Sequence, residues 1–315
     1  MTVQKLHKSF ITSHLSYILA IVIVIVFRLL YYDDLTNLQM WLATMIQIAV
    51  ALSFFLFNKI YNLIRERTTL PTFFYVLLIG TNPLYFNNLT GGISALIVML
   101  CWFFLLGTYQ NPNSQRRAFN LALCLSLGAF YWPLLLALFP VFWYGMFQMR
   151  SLNLKTLFAN LLGIILVGLF MLTWAYYHED WSLFTYPVQI FQNLFFELWI
   201  ISDYYAAIRF LLLFILIILA GIQINIIKIS EKIHTVIISG YLFLFALFLT
   251  PCYCIMSQWK AEWGLIFNLP TAFLLAHFFS NARQKWKSWL FFIIILLLLL
   301  FFVLQFLTDF RIIPN

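Results

Sequence analysis

The chain contains eleven apolar runs that are long enough, or nearly long enough, to cross a lipid bilayer. A spanning helix needs about 20 mostly apolar residues. Runs of this kind follow one another from residue 15 to residue 308, and short polar segments separate most of them. One water-facing core cannot bury so many apolar runs. The pattern therefore predicts an all-α, polytopic transmembrane bundle in which residues 1–315 form a single domain.

The composition supports this interpretation and bears on the partners. Hydrophobic residues make up 64% of the chain and charged residues 9%, whereas charged residues are about a quarter of a soluble domain. The net charge of +8 raises the question of nucleic-acid binding. However, the basic residues lie in short clusters between apolar runs, as the positive-inside rule requires. We therefore expect membrane lipid as a partner and no nucleic acid.

The least certain boundary lies between the fifth and sixth runs, at Trp132-Pro133. A single helix over 118–149 would be about 48 Å long, which exceeds a hydrocarbon core of about 30 Å. Proline also breaks helices because it lacks the amide donor, so two short helices are predicted. The predicted spans have approximate bounds of 15–32, 38–58, 70–86, 92–109, 118–131, 133–149, 156–177, 205–227, 234–256, 263–281 and 287–308.

The distribution of charge predicts a cytoplasmic N-terminus. With that orientation, 14 of the 18 basic residues lie on the inner side and 8 of the 10 acids on the outer side, which is the expected bias. Merging the fifth and sixth runs would invert every later loop and move Lys155, Lys228 and Arg283 outside. The charge bias therefore favours two helices at this point.

The longest outer segment, about 177–205, predicts a helix that lies in the membrane interface. Its apolar and polar residues fall on opposite helical faces, as in interfacial amphipathic helices. Pro187 is expected at the start, because proline is common in the first helical turn. The predicted helix covers 184–200. The apolar face holds Val188, Phe191, Leu194, Phe195, Leu198 and Trp199, and the polar face holds Gln189, Gln192, Asn193 and Glu197.

Asp33 and Asp34 are the candidate catalytic residues, because they directly follow the first span on the predicted outer side. A carboxylate at this boundary could take a proton from an acceptor hydroxyl or hold a metal ion. The alternative is that the pair only helps to orient the first helix.

Arg28 and Arg209 are candidate substrate-binding residues. Arg28 lies within the first span, and ionisable groups in spans usually face a cavity or a partner. It could clamp a phosphate or pair with an outer acid, and snorkelling to the headgroups is the alternative. Arg209, at the outer start of the eighth span, could bind a donor phosphate or serve as an interfacial anchor.

Lys260, Glu262 and His178 complete the candidate set. Lys260 and Glu262 lie in an outer turn next to Trp259 and Trp263, where they could grip a pyrophosphate or a sugar. Interfacial anchoring explains them equally. His178 begins the run His178-Glu179-Asp180, which could assist proton transfer. Metal sites usually gather ligands from several elements, so we assign no metal ligand.

The architecture resembles the GT-C superfamily of integral-membrane glycosyltransferases. The resemblance rests on the acids after the first span, the break at 131–133 and the late segment 263–270. It implies a sugar transfer from a polyprenyl-phosphate-linked donor at the outer face of the membrane. An acid of the first outer loop, here Asp33 or Asp34, would be the base or the metal-side residue. A divalent cation is the candidate cofactor.

A second resemblance is to uncharacterised bacterial inner-membrane proteins of a domain-of-unknown-function family, through segments 147–155 and 277–286. It implies no activity. The alternatives to a transferase are a non-catalytic scaffold or accessory subunit of an envelope assembly and a flippase-type lipid transporter. The few polar residues within the spans, among them Gln47 and Asn160, argue against ion-coupled transport.

Overall fold

The computed structural model describes residues 15–31, 37–61, 63–64, 68–192, 198, 204–227, 232–280 and 285–309. Within these ranges the chain is helical and contains no β-strand. Three 3₁₀ segments, Pro83–Tyr85, Pro133–Leu138 and Ser257–Trp259, interrupt the helices. The α-helices of these ranges are α1 Leu15–Tyr31, α2 Leu38–Tyr61, α3 Leu70–Gly80, α4 Leu89–Leu106, α5 Gln115–Tyr131, α6 Phe139–Gln148, α7 Leu154–His178, α8 Ser182–Gln192, α9 Tyr204–Ile227, α10 Ile233–Ile255, α11 Lys260–Ser280 and α12 Lys285–Asp309.

Seven segments of the described chain are long and apolar enough to cross a membrane. They correspond to α2, α4, α7, α9, α10, α12 and the segment Ser257–Ser280, which contains α11. The chain is therefore a multi-pass membrane protein. The other four predicted spans are also helical, but α1, α3, α5 and α6 are shorter. The total of eleven spans stays a prediction.

The outer surface of the bundle is apolar where α7 and α12 form it. Large side chains such as Leu162, Phe170 and Leu296 are each at least 60% exposed. Soluble proteins rarely expose contiguous apolar surface on this scale. These faces therefore suit contact with lipid, and the two helices lie at the periphery.

Helix α11 is the central element of the bundle. Nearly every residue from Trp263 to Phe279 is buried, and α3, α4, α9 and α10 pack against it. The central position explains why α11 carries no amphipathic pattern, since all of its faces meet protein. It also buries Asn268 and His277 in the interior.

The predicted third span, 70–86, is wrong beyond Gly80, where α3 ends after 11 residues. Asn82 takes an extended backbone with φ −132°, because the residue before a proline disfavours the helical region. Pro83 then opens a 3₁₀ turn. At Gly80 helix α1 passes so closely that a Cβ would lie 2.4 Å from Cγ2 of Val24.

The predicted break at Trp132-Pro133 is present. Helix α5 ends at Tyr131, and Trp132 is extended. The segments that precede α5 and follow α6 lie together, because the hydroxyls of Thr108 and Ser151 are 2.9 Å apart. The side-chain amide of Asn153 also donates to the Pro112 carbonyl at 2.6 Å. The chain therefore leaves this end of the bundle along α5 and returns to it along α6.

Helix α8 begins earlier than predicted, at Ser182, and Pro187 lies inside it. The prediction that Pro187 starts the helix is wrong. The Asp180 carboxylate instead accepts a hydrogen bond from the Ser182 amide at 2.9 Å, which organises the first turn. Pro187 then removes one internal hydrogen bond. Residues 193–197 and 199–200 of the predicted interfacial helix lie outside the described residues.

Candidate functional site: a polar layer around the connection between α3 and α4

Residues 81–88, which connect α3 to α4, are unusually buried for a connection. Thr81, Asn82, Tyr85 and Phe86 are all nearly inaccessible. The side-chain oxygen of Asn82 accepts from the Leu84 amide at 3.2 Å. A buried connection has main-chain carbonyls that need donors from elsewhere. Five polar side chains lie in or around this connection, and we call them the polar layer: Arg28, Gln47, Asn88, Arg209 and Glu262.

Arg28 enters this layer from α1. It is 1% exposed, so it does not snorkel to the membrane surface. Its guanidinium donates to the side-chain oxygens of Thr44 and Gln47 on α2 and to the Phe86 carbonyl at 3.3 Å. It also lies 5.0 Å from the centre of the Phe86 ring, at cation–π distance. Arg28 therefore joins α1, α2 and the connection.

Gln47 continues the same network. While its amide oxygen accepts from Arg28, its amide nitrogen donates to the Tyr85 carbonyl at 2.9 Å. Thr44, three residues earlier on the same helical face, donates to the Met40 carbonyl at 2.7 Å. The spacing of Thr44 and Gln47 in an otherwise apolar helix is the sequence signal that could have identified this binding face for Arg28.

Arg209 reaches the layer from the first turns of α9. Its two terminal nitrogens donate to the carbonyls of Thr81 at 2.6 Å and Leu78 at 2.5 Å. These are carbonyls at the end of α3, where a helix has no internal donors for its last turn and where a cation interacts favourably with the helix dipole. Among the residues that the structure describes, no carboxylate pairs with Arg209.

Glu262 and Asn88 connect α11 to the first turn of α4. The Asn88 amide donates to Oε1 of Glu262 at 2.8 Å, and the Asn88 oxygen accepts from the Gly91 amide at 2.5 Å. Asn88 is thus the N-cap of α4 and a bridge to α11 at once. Lys260 lies in the same first turn of α11 and is partly exposed.

A cluster of tryptophans borders this first turn. The ring of Trp132, at the tip of the α5–α6 hairpin, lies 5.0 Å from that of Trp263 and 6.1 Å from that of Trp259. Trp132 and Trp263 are completely buried. The hairpin tip therefore lies at the same end of the bundle as the polar layer.

His178 is not part of the polar layer. It ends α7, is exposed, and contacts the rings of Trp174 and Tyr177. Glu179 follows with φ 54° and caps the helix. The Ser182 hydrogen bond lowers the pKa of the exposed Asp180 carboxyl. In the described part of the chain, no group of three metal-binding side chains is found, here or elsewhere.

Asp33 and Asp34 lie outside the described residues. Tyr31, the last residue of α1, contacts the Phe86 ring edge-on at 5.7 Å, and α2 begins at Leu38. The structure thus brings together Arg28, Arg209 and Glu262, with Lys260 beside them, and it leaves His178 apart.

A comparison with protein families assigns the chain to a family. The sequence model of a family of unknown function, DUF6427, matches residues 5–310. The chain belongs to this family. The match covers nearly the whole chain and confirms the resemblance to an uncharacterised family. Searches of curated proteins and of solved structures find no significant match. The family is one of unknown function, so the polar layer is the basis for a functional proposal.

Proposed function

We propose that this DUF6427 protein is a GT-C-like glycosyltransferase of the bacterial inner membrane, with a cytoplasmic N-terminus. It transfers a sugar from a polyprenyl-phosphate-linked donor at the outer face. One observation carries the proposal. Arg28 and Arg209, from helices far apart in the sequence, converge on the same buried connection, and both are deeply buried.

The arginines suit the phosphate of such a donor. A guanidinium carries five N–H donors in a planar fork, and this fork matches phosphate geometry. Two donors of Arg209 reach carbonyls of the described residues, which leaves further donors for a phosphate oxygen. A buried cation also stabilises an anion more strongly than an exposed cation does, because the local dielectric is low.

The proposed reaction needs a base close to this phosphate site. Asp33 or Asp34, two or three residues after Tyr31, takes the proton of the acceptor hydroxyl. The acceptor oxygen forms a bond to the anomeric carbon of the sugar. The bond between that carbon and the phosphate oxygen breaks, and polyprenyl phosphate leaves with the electron pair. Arg28, Arg209 and Lys260 stabilise the charge that develops on the leaving phosphate.

Native mass spectrometry with a polyprenyl-phosphate hexose tests the binding part of the proposal. We expect wild type to retain the lipid and Arg209→Gln to retain about tenfold less, because a charge-assisted hydrogen bond has this order of effect. Arg209→Lys keeps the charge but loses the fork, so it should fall between them. Arg116→Gln is the control, because Arg116 is exposed at the end of the bundle opposite the polar layer. Equal retention by all variants would remove the arginines from the donor site.

A second candidate is an accessory subunit of an envelope assembly. The observation in its favour is that the described hydrogen bonds of Arg209 go to main-chain carbonyls, where they close the end of α3. On this hypothesis Arg209→Gln lowers the free energy of unfolding, and neither wild type nor the variant retains the lipid-linked sugar. The same purified variants therefore separate the two functions.

A further inference from the structure

Another buried cation lies at the opposite end of the bundle from the polar layer. Lys287, in the first turn of α12, is 7% exposed, and Gln223, near the end of α9, is 6% exposed. The Lys287 ammonium donates to the Gln223 side-chain oxygen at 2.6 Å. Arg209 and Glu262 lie in the first turns of α9 and α11, whereas Gln223 and Phe278, the neighbours of Lys287, lie near the ends of those helices. The two sites are therefore separated by the length of the bundle.

Among the described residues, the surroundings of Lys287 contain no anion. Its ammonium nitrogen lies 4.8 Å from the centre of the Phe278 ring and 5.6 Å from that of Trp286, so aromatic faces and one amide oxygen surround it. Within the described residues no carboxylate pairs with it. Aromatic rings stabilise a cation only partly, and a cation buried in a membrane protein usually has an anionic or polar partner.

Gln223 provides a second donor at the same place. Its amide nitrogen is bonded to the same carbon as the oxygen that accepts from Lys287, so it lies beside the ammonium. This nitrogen is buried and has no acceptor among the described residues. A buried donor without an acceptor destabilises a fold by about 1–3 kcal/mol. A buried cation and a neighbouring buried donor without an acceptor together suit an oxyanion.

The site lies at the rim of the bundle, where a lipid headgroup can reach it. Trp286 and Trp289 on α12 are about half exposed, and Ile226 on α9 is 71% exposed. Tryptophans at this exposure mark the headgroup level of a membrane. The sequence that follows α9 and precedes α12 is also basic, since 228–232 and 281–285 hold four basic residues and one acid. Such segments attract anionic lipids.

We propose that Lys287 and Gln223 bind the phosphate of an anionic phospholipid headgroup between α9 and α12. The ammonium donates to one phosphate oxygen and the Gln223 amide to another. The acyl chains then lie along the exposed apolar residues of the two helices. This lipid is distinct from the donor proposed at the polar layer, and its binding does not depend on any transferase activity.

Native mass spectrometry with phosphatidylglycerol and phosphatidylcholine as probes tests the lipid site. We expect wild type to retain phosphatidylglycerol in preference to phosphatidylcholine. Lys287→Gln should reduce the retained fraction about tenfold, as expected for losing one charge-assisted hydrogen bond, and Lys287→Arg should keep most of it. Lys155→Gln is the matched control, because Lys155 is exposed at the same end of the bundle.

Gln223→Glu tests the proposal even if Lys287→Gln fails to fold. The new carboxylate has nearly the same shape and pairs with the ammonium internally, so it should displace the lipid while the protein stays folded. Retention of phosphatidylglycerol by Gln223→Glu at the wild-type level would overturn the proposal. Displacement of the lipid by inorganic phosphate alone would also overturn it, since the ligand would then be free phosphate.

Discussion

Asn88 offers a quantitative test of the polar layer, because one side chain makes two contacts. Its oxygen caps α4 at the Gly91 amide, and its amide nitrogen donates to Glu262 on α11. Loss of an N-cap costs about 1 kcal/mol. Loss of a hydrogen bond to a charged group costs about 1.5–3 kcal/mol. Asn88→Ala should therefore lower the free energy of unfolding by about 2.5–4 kcal/mol.

Two further substitutions at Asn88 separate these contributions. Asn88→Ser keeps a capping oxygen but is too short to reach Glu262, so it should cost less than Asn88→Ala. Asn88→Asp keeps the cap and places a second carboxylate against that of Glu262, where like charges repel. It should therefore destabilise the protein more than Asn88→Ser does. The order of the three free energies of unfolding separates the contribution of the cap from that of the bridge to Glu262.

The assay is denaturant titration in mixed micelles, with the thiol reactivity of Cys101 as the readout, because Cys101 is buried in the folded bundle. Asn113→Ala is the control, since Asn113 is exposed at the other end. In a double-mutant cycle, Asn88→Ala and Glu262→Ala should be non-additive, because contacting residues couple. A free energy of unfolding for Asn88→Ala within about 0.5 kcal/mol of the control variant would refute the bridge between α4 and α11.

Two other outcomes follow from packing and from topology. Gly145→Ala should lower the free energy of unfolding by about 1–3 kcal/mol through overpacking, because its Cβ would lie 2.6 Å from the Tyr241 ring. A Cβ at Gly168 would have nothing within 4 Å, so Gly168→Ala should be neutral or slightly stabilising. Equal free energies of unfolding for the two variants would contradict the packing around Gly145. In a background without native cysteines, a membrane-impermeant maleimide applied to intact cells should label Gln258→Cys and not Asn113→Cys. The opposite pattern would reverse the proposed orientation.

The sequence was sufficient for the helical class and for most helix positions, because apolar runs between short polar segments have few alternatives to membrane helices. It also predicted the break at Trp132, since proline and helix length both required it. The early end of α3 was missed because the apolar residues Leu84, Tyr85 and Phe86 continue the run beyond it. Only Asn82-Pro83 signalled the break, and the prediction placed it after residue 86.

The candidate site was predictable only in part. Arg28 and Arg209 were identified because charges in spans are rare, and the structure brings them to one connection. The partners of Arg209 could not be predicted, because main-chain carbonyls such as those of Leu78 and Thr81 have no sequence signature. Lys287 is one of the 14 basic residues that the sequence places on the inner side, and its burial against Gln223 depends on how α9 and α12 pack. That packing depends on contacts between residues far apart in the sequence, which a local sequence pattern does not predict.

Donor turnover by the purified protein tests the proposed function most directly. The measurement follows a radiolabelled polyprenyl-phosphate hexose with membrane extract as the source of acceptor, for wild type and for the Asp33→Asn/Asp34→Asn double variant. The account predicts that both proteins retain the donor and that wild type alone converts it to a labelled product and polyprenyl phosphate. Absence of conversion by wild type, or equal conversion by the double variant, would contradict the transferase proposal.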